Sequence, residues 1–573
     1  MKHLIRATII FNAFFVLFVI TTPSLAKPNY IDAIPLKQVV KTPVGPLKYN
    51  NTLEVPIITW GGDIATIYAN GNNRTTADKS IFSDAGLRVR LSRVDNFTDQ
   101  LSSYISGKSP FLRCTIGMCS QAMELLNQNQ ATKPVFIYQL TWSAGGDALV
   151  VKENIKTTKD LKGKTIAVQA YGPHVDYLTK VLSDAGLNLR DIKIKWLPDL
   201  TGTDNSPMTA FYESDIDAAF VIIPDALALT SNGTVGTGAE DSVKGAQILM
   251  STKTANRIIA DVYAVRSDFY QSNRNVVDAF VHSLFKAQEK ITTIMSGSGN
   301  DKKKLLESSA DILLDAKEAI ADAEGLYLDA EFAGYHGNLK FFQNSKYPRN
   351  INKLASEAQS SFKTIGLLAS TSKITTANID YKRMEAGLVN TAKVEQPKFD
   401  KTQVAAVVSR KQQQGTLGSD ELFSFEVFFK PNQNDFSADL YADSFQKVIE
   451  FASTYGGALI TVEGHSDPMG YLRKRKANAP DVVLNRIKQS AKNLSLSRAV
   501  KVREEIINFA ERSGVVLDGS QFATIGHGIN QPNTGICGSV PCPPKTEQEW
   551  LSNMRVQFRI IQVEAESSVF KPL

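Results

Sequence analysis

The chain has 573 residues, 43% of them hydrophobic, and 64 Lys and Arg against 58 Asp and Glu leave a net charge of only +6. That length allows three to four lobes at ~150 residues each, with enough apolar content for real cores. So small a charge, with no basic run to line a groove, argues against nucleic-acid binding, and no apolar stretch beyond the first twenty residues is long enough to span a bilayer.

In chain order, residues 1–26 read as a secretory signal peptide. Lys2, His3 and Arg6 precede an apolar run at 9–20 broken only by Asn12, and Ser24-Leu25-Ala26 supplies the small residues of a cleavage site. An uncleaved anchor is the alternative, but the run is shorter than the ~20 residues a span needs. Residues 27–52, punctuated by Pro and Lys, form an extended arm. Strands are expected at 55–60, 87–91 and 134–140 with helices between, an alternation that argues for α/β layers with parallel strands. A second unit opens near Leu161 with a strand at 165–168. Val175, Leu178, Val181, Leu182 and Ala185 then share one helical face, opened by Pro173 and stopped by Gly186. Strands follow at 192–197 and 218–223, the latter apolar throughout and so buried on both faces. Longer helices are expected at 273–296, 302–330 and 350–365. Residues 391–420 are polar and read as a linker, and 421–565 form a final unit.

Four Cys fall into two local pairs, Cys114/Cys119 and Cys537/Cys542. An even count in an exported chain favours disulfides, each closing a short loop. Neither pair has two-residue spacing and the six His are scattered, so no metal site and no cofactor are expected.

The stretch 160–168, Asp-Leu-Lys-Gly-Lys-Thr-Ile-Ala-Val, resembles the opening of the second lobe in periplasmic solute-binding proteins of the nitrate/sulfonate/taurine type, which serve ABC importers. Gly172-Pro173-His174-Val175-Asp176-Tyr177, Ala185-Gly186-Leu187, Trp196-Leu197-Pro198 and Asp215-Ile216-Asp217-Ala218-Ala219-Phe220, in that order, carry the resemblance. It implies a two-lobed periplasmic-binding-protein fold (type II) over 53–390, with lobe one from 53–150 and 255–390 and lobe two from 155–250. Ligands of such lobes sit where strand C-termini and helix N-termini meet, because unpaired N–H groups point there. The candidate solute contacts are therefore Trp60, Gly61, Asp63, Thr115, Trp142, Ser143, Tyr171, His174 and Asp225. Each has a plainer alternative: packing for the Trp pair, a turn for Gly61, helix capping for Asp63 and His174. Aromatic rings with a nearby acid suit an amine or quaternary ammonium, whereas helix N-termini suit a sulfonate or carboxylate. The lack of Arg or Lys in these loops tilts the reading toward a cationic or zwitterionic organic solute.

Enzymatic readings fail on spacing. Gly163-Lys164-Thr165 ends like a phosphate loop, but Thr158 stands where its first Gly belongs. Gly464-His465-Ser466-Asp467-Pro468 lacks the last Gly of a nucleophile elbow.

In the final unit, a strand at 423–429, a helix carrying Phe445, Val448, Ile449 and Ala452, and a strand with Ala458, Ile460 and Val462 lead into Gly464-His465-Ser466-Asp467. Leu494-Ser495-Leu496-Ser497-Arg498-Ala499 follows. This order resembles the OmpA-like peptidoglycan-binding domain, a smaller α/β unit with a mixed sheet, covering 421–565. The resemblance implies that Asp467 and Arg498 hold the diaminopimelate of the wall stem peptide, the acid taking its ammonium and the guanidinium fork its carboxylate. Two departures stand out: Asp467 and Arg498 are separated by about twice the family's usual gap, and Ala491 replaces the family's Asn. Residues 471–490 read as a basic insertion carrying Arg473, Lys474, Arg475 and Lys476. Together these features point to a periplasmic solute binder, not an enzyme, tethered to the wall near the outer membrane, with an ABC permease as the implied partner. A sensor reporting to a membrane partner, or an envelope protein with a vestigial clamshell, remain the alternatives.

Overall fold

The computed structural model describes residues 27–239, 241–389, 399, 401–414, 421–429 and 441–561. The signal peptide and much of the expected linker lie outside the described residues.

Two α/β lobes occupy the first two thirds of the chain. Lobe one begins with β1 (Leu53–Ile57), β2 (Val89–Arg93), β3 (Phe111–Thr115) and β4 (Pro134–Ser143). The chain then crosses into lobe two for β5 (Asp147–Val151), β6 (Thr165–Gln169), β7 (Lys193–Leu197), β8 (Ala218–Ile222) and β9 (Gln247–Ser251), and β10 (Ala260–Arg266) returns to lobe one. The lobe-two sheet runs β7-β6-β8-β5-β9, with β6 parallel to β7 and β8, and β5 antiparallel to β8 and β9. Lobe one repeats that order. β2 pairs with β1, β1 lies beside β3, and β3-β10-β4 follows with β10 antiparallel to both neighbours. In each sheet the strand contributed across the lobe boundary is the antiparallel one. The short β11 (Ala330–Phe332) and β12 (Thr375–Thr376) add to β4.

Apolar periodicity explains the helices that cover these sheets. In α1 (Ile116–Leu126) most side chains are buried, and α2 (His174–Asp184) buries Val175, Leu178, Val181 and Leu182, the face its spacing implies. α3 (Arg274–Met295) and α4 (Ile351–Thr364) pack on lobe one. The single helix expected at 302–330 is two, Asn300–Leu314 and Ile320–Leu328. Asp315 takes a left-handed φ of 53° that stops the first, and its carboxylate meets Arg74 and Arg93.

The last third has its own sheet. α5 (Lys401–Gln414), β13 (Glu421–Phe428), α6 (Ala442–Thr454), β14 (Leu459–His465), α7 (Met469–Lys476), α8 (Asp481–Arg512), β15 (Phe522–Gly528), the hairpin of β16 (Ile536–Cys537) with β17 (Val540–Pro541), and β18 (Arg555–Ile561) follow in order. The sheet runs β13-β18-β14-β15, parallel only between β14 and β15. Its inner face presents Phe423, Val427, Ile460, Val462, Val556 and Phe558 to Phe445 and Val448 of α6 and to Ala499, Val502 and Ile506 of α8.

One expectation needs correction here. The 391–420 stretch is not linker throughout, because α5 sets Val404 and Val408 against Leu459, Ile525 and Ile561. Only that narrow stripe is apolar, so the composition reads as linker. The expected basic insertion is helical, made of α7 and the first turns of α8, which places Arg498 in mid-helix. Disulfides join Cys114 to Cys119, at the junction of β3 and α1, and Cys537 to Cys542, across the β16–β17 hairpin. Among the described residues no helix is long and apolar enough to cross a membrane.

Candidate functional site

The chain crosses between the lobes at 143–147 and again at 251–260, and the polar groups of these crossings interlock. Ser143 Oγ donates to Asp147 Oδ2 at 2.6 Å and lies 2.9 Å from Thr252 Oγ1. Thr252 Oγ1 accepts the N–H groups of Gly145 and Asp147, each at 3.1 Å. Asp147 Oδ1 meets His174 Nε2 at 2.7 Å, with both side chains buried. Asp147, at the start of β5, thus links the hinge to the first turn of α2.

The same turn carries Asp176, which faces the first turn of α1 across the lobe boundary. A Cβ on Gly117 would lie 2.2 Å from Asp176 Cγ, so the glycine is what lets the carboxyl approach the α1 backbone. Burial pushes the Asp176 pKa up to about 8, opposed by the charge of Arg349 and aided by Asp147 and Asp261. Several buried polar atoms here have no protein partner: Asp176 Oδ1, His174 Nδ1, Asp225 Oδ2, and both side-chain polar atoms of Gln121, one turn along α1 from Gly117. Asp225 accepts from Thr201 at 3.0 Å; burial raises its pKa against that bond and the charge of His174. Unpartnered buried polar atoms are costly, at ~1–3 kcal/mol each. Their concentration at an interlobe seam is what a site for a polar solute requires.

Of the nine residues expected to touch a solute, the structure brings Ser143, His174 and Asp225 to this cluster. The others have structural partners. Asp63 lies wholly buried against Arg113, which also holds Asp261 at 2.7 Å; burial lifts Asp63 to about 6 despite that guanidinium. It does not cap its helix through its side chain. Trp142 packs edge-on against Phe341 with the Arg257 guanidinium 5.5 Å from its ring. Thr115 caps α1 by accepting from Met118 N–H at 3.1 Å. Gly61 sits where any Cβ would strike the backbone of Leu326 at 1.8 Å. Trp60 donates to Thr141 Oγ1 at 2.9 Å and lays its ring against Gly146, beside the first crossing. Tyr171, at φ 63°, donates its hydroxyl to Ile34 O at 2.7 Å and so pins the N-terminal arm. The reading missed Asp147 and Asp176. The first follows a Gly-Gly pair just past a candidate loop, and the second lies two residues beyond His174, which are the only sequence signals either offers.

In the last third, Asp467 follows β14 and accepts from Met469 N–H at 3.0 Å. Burial raises its pKa against the pull of the Trp550 indole, that N–H and Arg473. Arg498 is half-buried, its Nε has no partner, and desolvation lowers its pKa. Among the described residues no hydrogen bond or ion pair joins Asp467 to Arg498.

Comparison with known proteins bears on the two-lobed part. Residues 75–293 match the family model described as NMT1/THI5 like. A curated relative, the taurine-binding periplasmic protein of Escherichia coli strain K12, is 32% identical over 215 residues, which is 37% of this chain and 60% of the relative, so the match spans less than two thirds of that protein. Among solved structures, the periplasmic aliphatic sulphonate binding protein SsuA of Escherichia coli aligns with TM-score 0.41 and 15% identity, covering 61% of this chain and 97% of that one. The periplasmic nitrate-binding protein NrtA of Synechocystis PCC 6803 aligns with TM-score 0.39 and 12% identity, covering 61% and 91%. Residues 75–293 are thus an NMT1/THI5-like segment set within a longer chain.

Proposed function

We propose that this is an exported binding protein, not an enzyme, that captures a small zwitterionic or cationic solute between its two lobes and serves an ABC-type permease. The supporting observation is the interlobe cluster of Asp147, His174, Asp176 and Asp225, with its unpartnered oxygens and imidazole nitrogen beside the first turn of α1. Acids of this kind receive an ammonium, while the exposed N–H groups and positive end of a helix start receive a sulfonate or carboxylate. Taurine carries both an ammonium and a sulfonate, and a relative of the matched segment is named for binding it. Lobe closure about the two crossings is the motion that admits and seals the solute.

The test is a thermal-shift and calorimetric screen of the mature chain with taurine, alkanesulfonates, betaines, simple amines and nitrate. A solute present at 100 times its dissociation constant adds ~2.7 kcal/mol. An aminosulfonate, amine or betaine is expected to raise the melting temperature, and Asp147→Ala to abolish the rise. A chain that responds to none of them, or to nitrate alone, is not the binder described here.

The last third is read as an OmpA-like wall-binding unit on its Gly464-His465-Ser466-Asp467 and Leu494-Ser495-Leu496-Ser497-Arg498-Ala499 motifs. Two half-buried groups of opposite charge that do not pair with each other suit the two ends of diaminopimelate. The expected outcome is co-sedimentation with purified peptidoglycan, lost in both Asp467→Ala and Arg498→Ala. Sedimentation retained in both variants sinks the assignment.

A further inference from the structure

We propose that Glu463, His465 and His527 form a binding site for one divalent metal ion of the zinc class inside the C-terminal sheet. His465 and His527 lie 62 positions apart, and the sequence gives no metal-ligand spacing. The parallel pairing of β14 with β15 nevertheless sets Glu463, His465 and His527 on one face, with one ligand atom from each within 4.8 Å of the others. All three side chains are buried, at 0%, 0% and 3% exposure. The two imidazoles stack at 4.9 Å with 19° between their planes.

The hydrogen bonding around the trio is that of a ligand set. His465 Nδ1 lies 3.1 Å from Gln531 O and must donate to that carbonyl, so its Nε2 is a lone-pair acceptor. That Nε2 is buried and has no partner. A ring whose far N–H is held by a backbone carbonyl is oriented as metal-bound histidines are. Glu463 is braced in the same way. Its Oε1 accepts from Thr461 Oγ1 at 2.7 Å and lies 3.1 Å from the Arg559 guanidinium as an ion pair, leaving Oε2 turned to His527 Nε2 at 2.7 Å. An ion seated here replaces the Glu463–His527 contact and gives His465 Nε2 its missing partner. Two imidazoles and one carboxylate are a zinc-type donor set with one coordination position to spare.

Charge does not exclude the ion. Arg559 and Arg555 are the cations near the trio; Arg555 pairs with Glu426 at 2.8 Å and Arg559 with both Glu421 and Glu463, so two guanidiniums face three carboxylates and the local charge is already negative before metal enters. His465 is two residues before Asp467, so the ion would stiffen the loop that carries that acid.

The experiment uses the mature chain without an affinity tag, stripped with chelator and dialysed against Zn2+, with bound metal counted by mass spectrometry. One equivalent is expected to be retained, with a higher melting temperature that chelator reverses. His465→Gln and His527→Gln are each expected to retain less than about a tenth as much, since losing even a group that only orients a ligand costs about 10–100-fold in affinity. A wild-type chain that retains no metal, or variants that retain it fully, overturns the proposal. Where a variant fails to fold, zinc X-ray absorption of the wild-type chain decides: a sulfur-free shell with two imidazoles supports the site, and any other shell overturns it.

Discussion

At the residue scale, buried charge dominates. Arg113 is enclosed between Asp63 and Asp261 with essentially no exposure, and the guanidinium fork is the one side chain that can serve both acids at once. Removing it strands two carboxylates in the core, which costs about 3–5 kcal/mol. Arg113→Leu is therefore expected to lower the urea midpoint sharply, while Asp63→Asn costs less; equal, small losses in both would count against this account. Asp176 makes a pH prediction. Its folded pKa of about 8 lies above the ordinary value of 3.8, so between those limits the folded chain keeps a proton that the unfolded chain has released. Stability is then greatest at the acid end of that window and falls as pH rises through it. Without ligand, Asp176→Asn is expected to melt at a higher temperature than wild type at pH 8, the gap closing as the pH falls toward the ordinary value of 3.8. Melting curves of the pair across that range check this, and parallel curves refute it. Asp63 was expected as a solute contact, and its pairing with Arg113 was not legible, because nothing local ties it to a strand 50 residues later.

At the element scale, the helix starts carry the function and the glycines set how closely they meet. Gly117 lets α1 touch α2 across the seam, and a methyl there would meet the Asp176 carboxyl at 2.2 Å. Gly117→Ala is expected to leave circular dichroism unchanged while weakening solute binding at least tenfold, because only the lobe approach is obstructed; unchanged affinity would place the solute elsewhere. Several elements with a full apolar face were readable in advance: α2, β2, β6, β7 and β8 fall within a residue or two of the expected positions, whereas β3, β5, β9 and β10 were not expected at all. The helices that failed had thin signals. α5 shows one stripe of two Val residues in a Gln- and Lys-rich run, and α7 with the start of α8 buries little beyond Tyr471. An exposed helix needs no periodic apolar pattern, so polar composition alone read as linker in one stretch and as a basic insertion in the other.

At the scale of the whole molecule, the C-terminal unit docks on the hinge. Tyr455 donates to Asp184 at 2.7 Å, Gly457 N–H reaches Thr254 O at 3.2 Å, and Arg257 N–H reaches Thr454 O at 3.2 Å. The second crossing thus belongs to both units. A Cβ on Gly457 would lie 1.6 Å from Lys253 O, so Gly457→Val is expected to release the unit. Small-angle scattering should then show a larger radius of gyration, with the two-lobed part still folded; an unchanged radius would mean the contact does not hold the units together. The sequence by itself determined what local pattern can encode: the alternation of strands and helices, the order of the lobes, the short-range Cys pairs and the motifs of the last third. Only the tertiary structure decided which polar groups converge. Asp147 with His174, Arg113 between two acids, and Glu463 with His465 and His527 are each assembled by strand pairing or lobe contact between distant segments. A hydrogen bond leaves no mark in sequence periodicity, whereas a buried apolar face does.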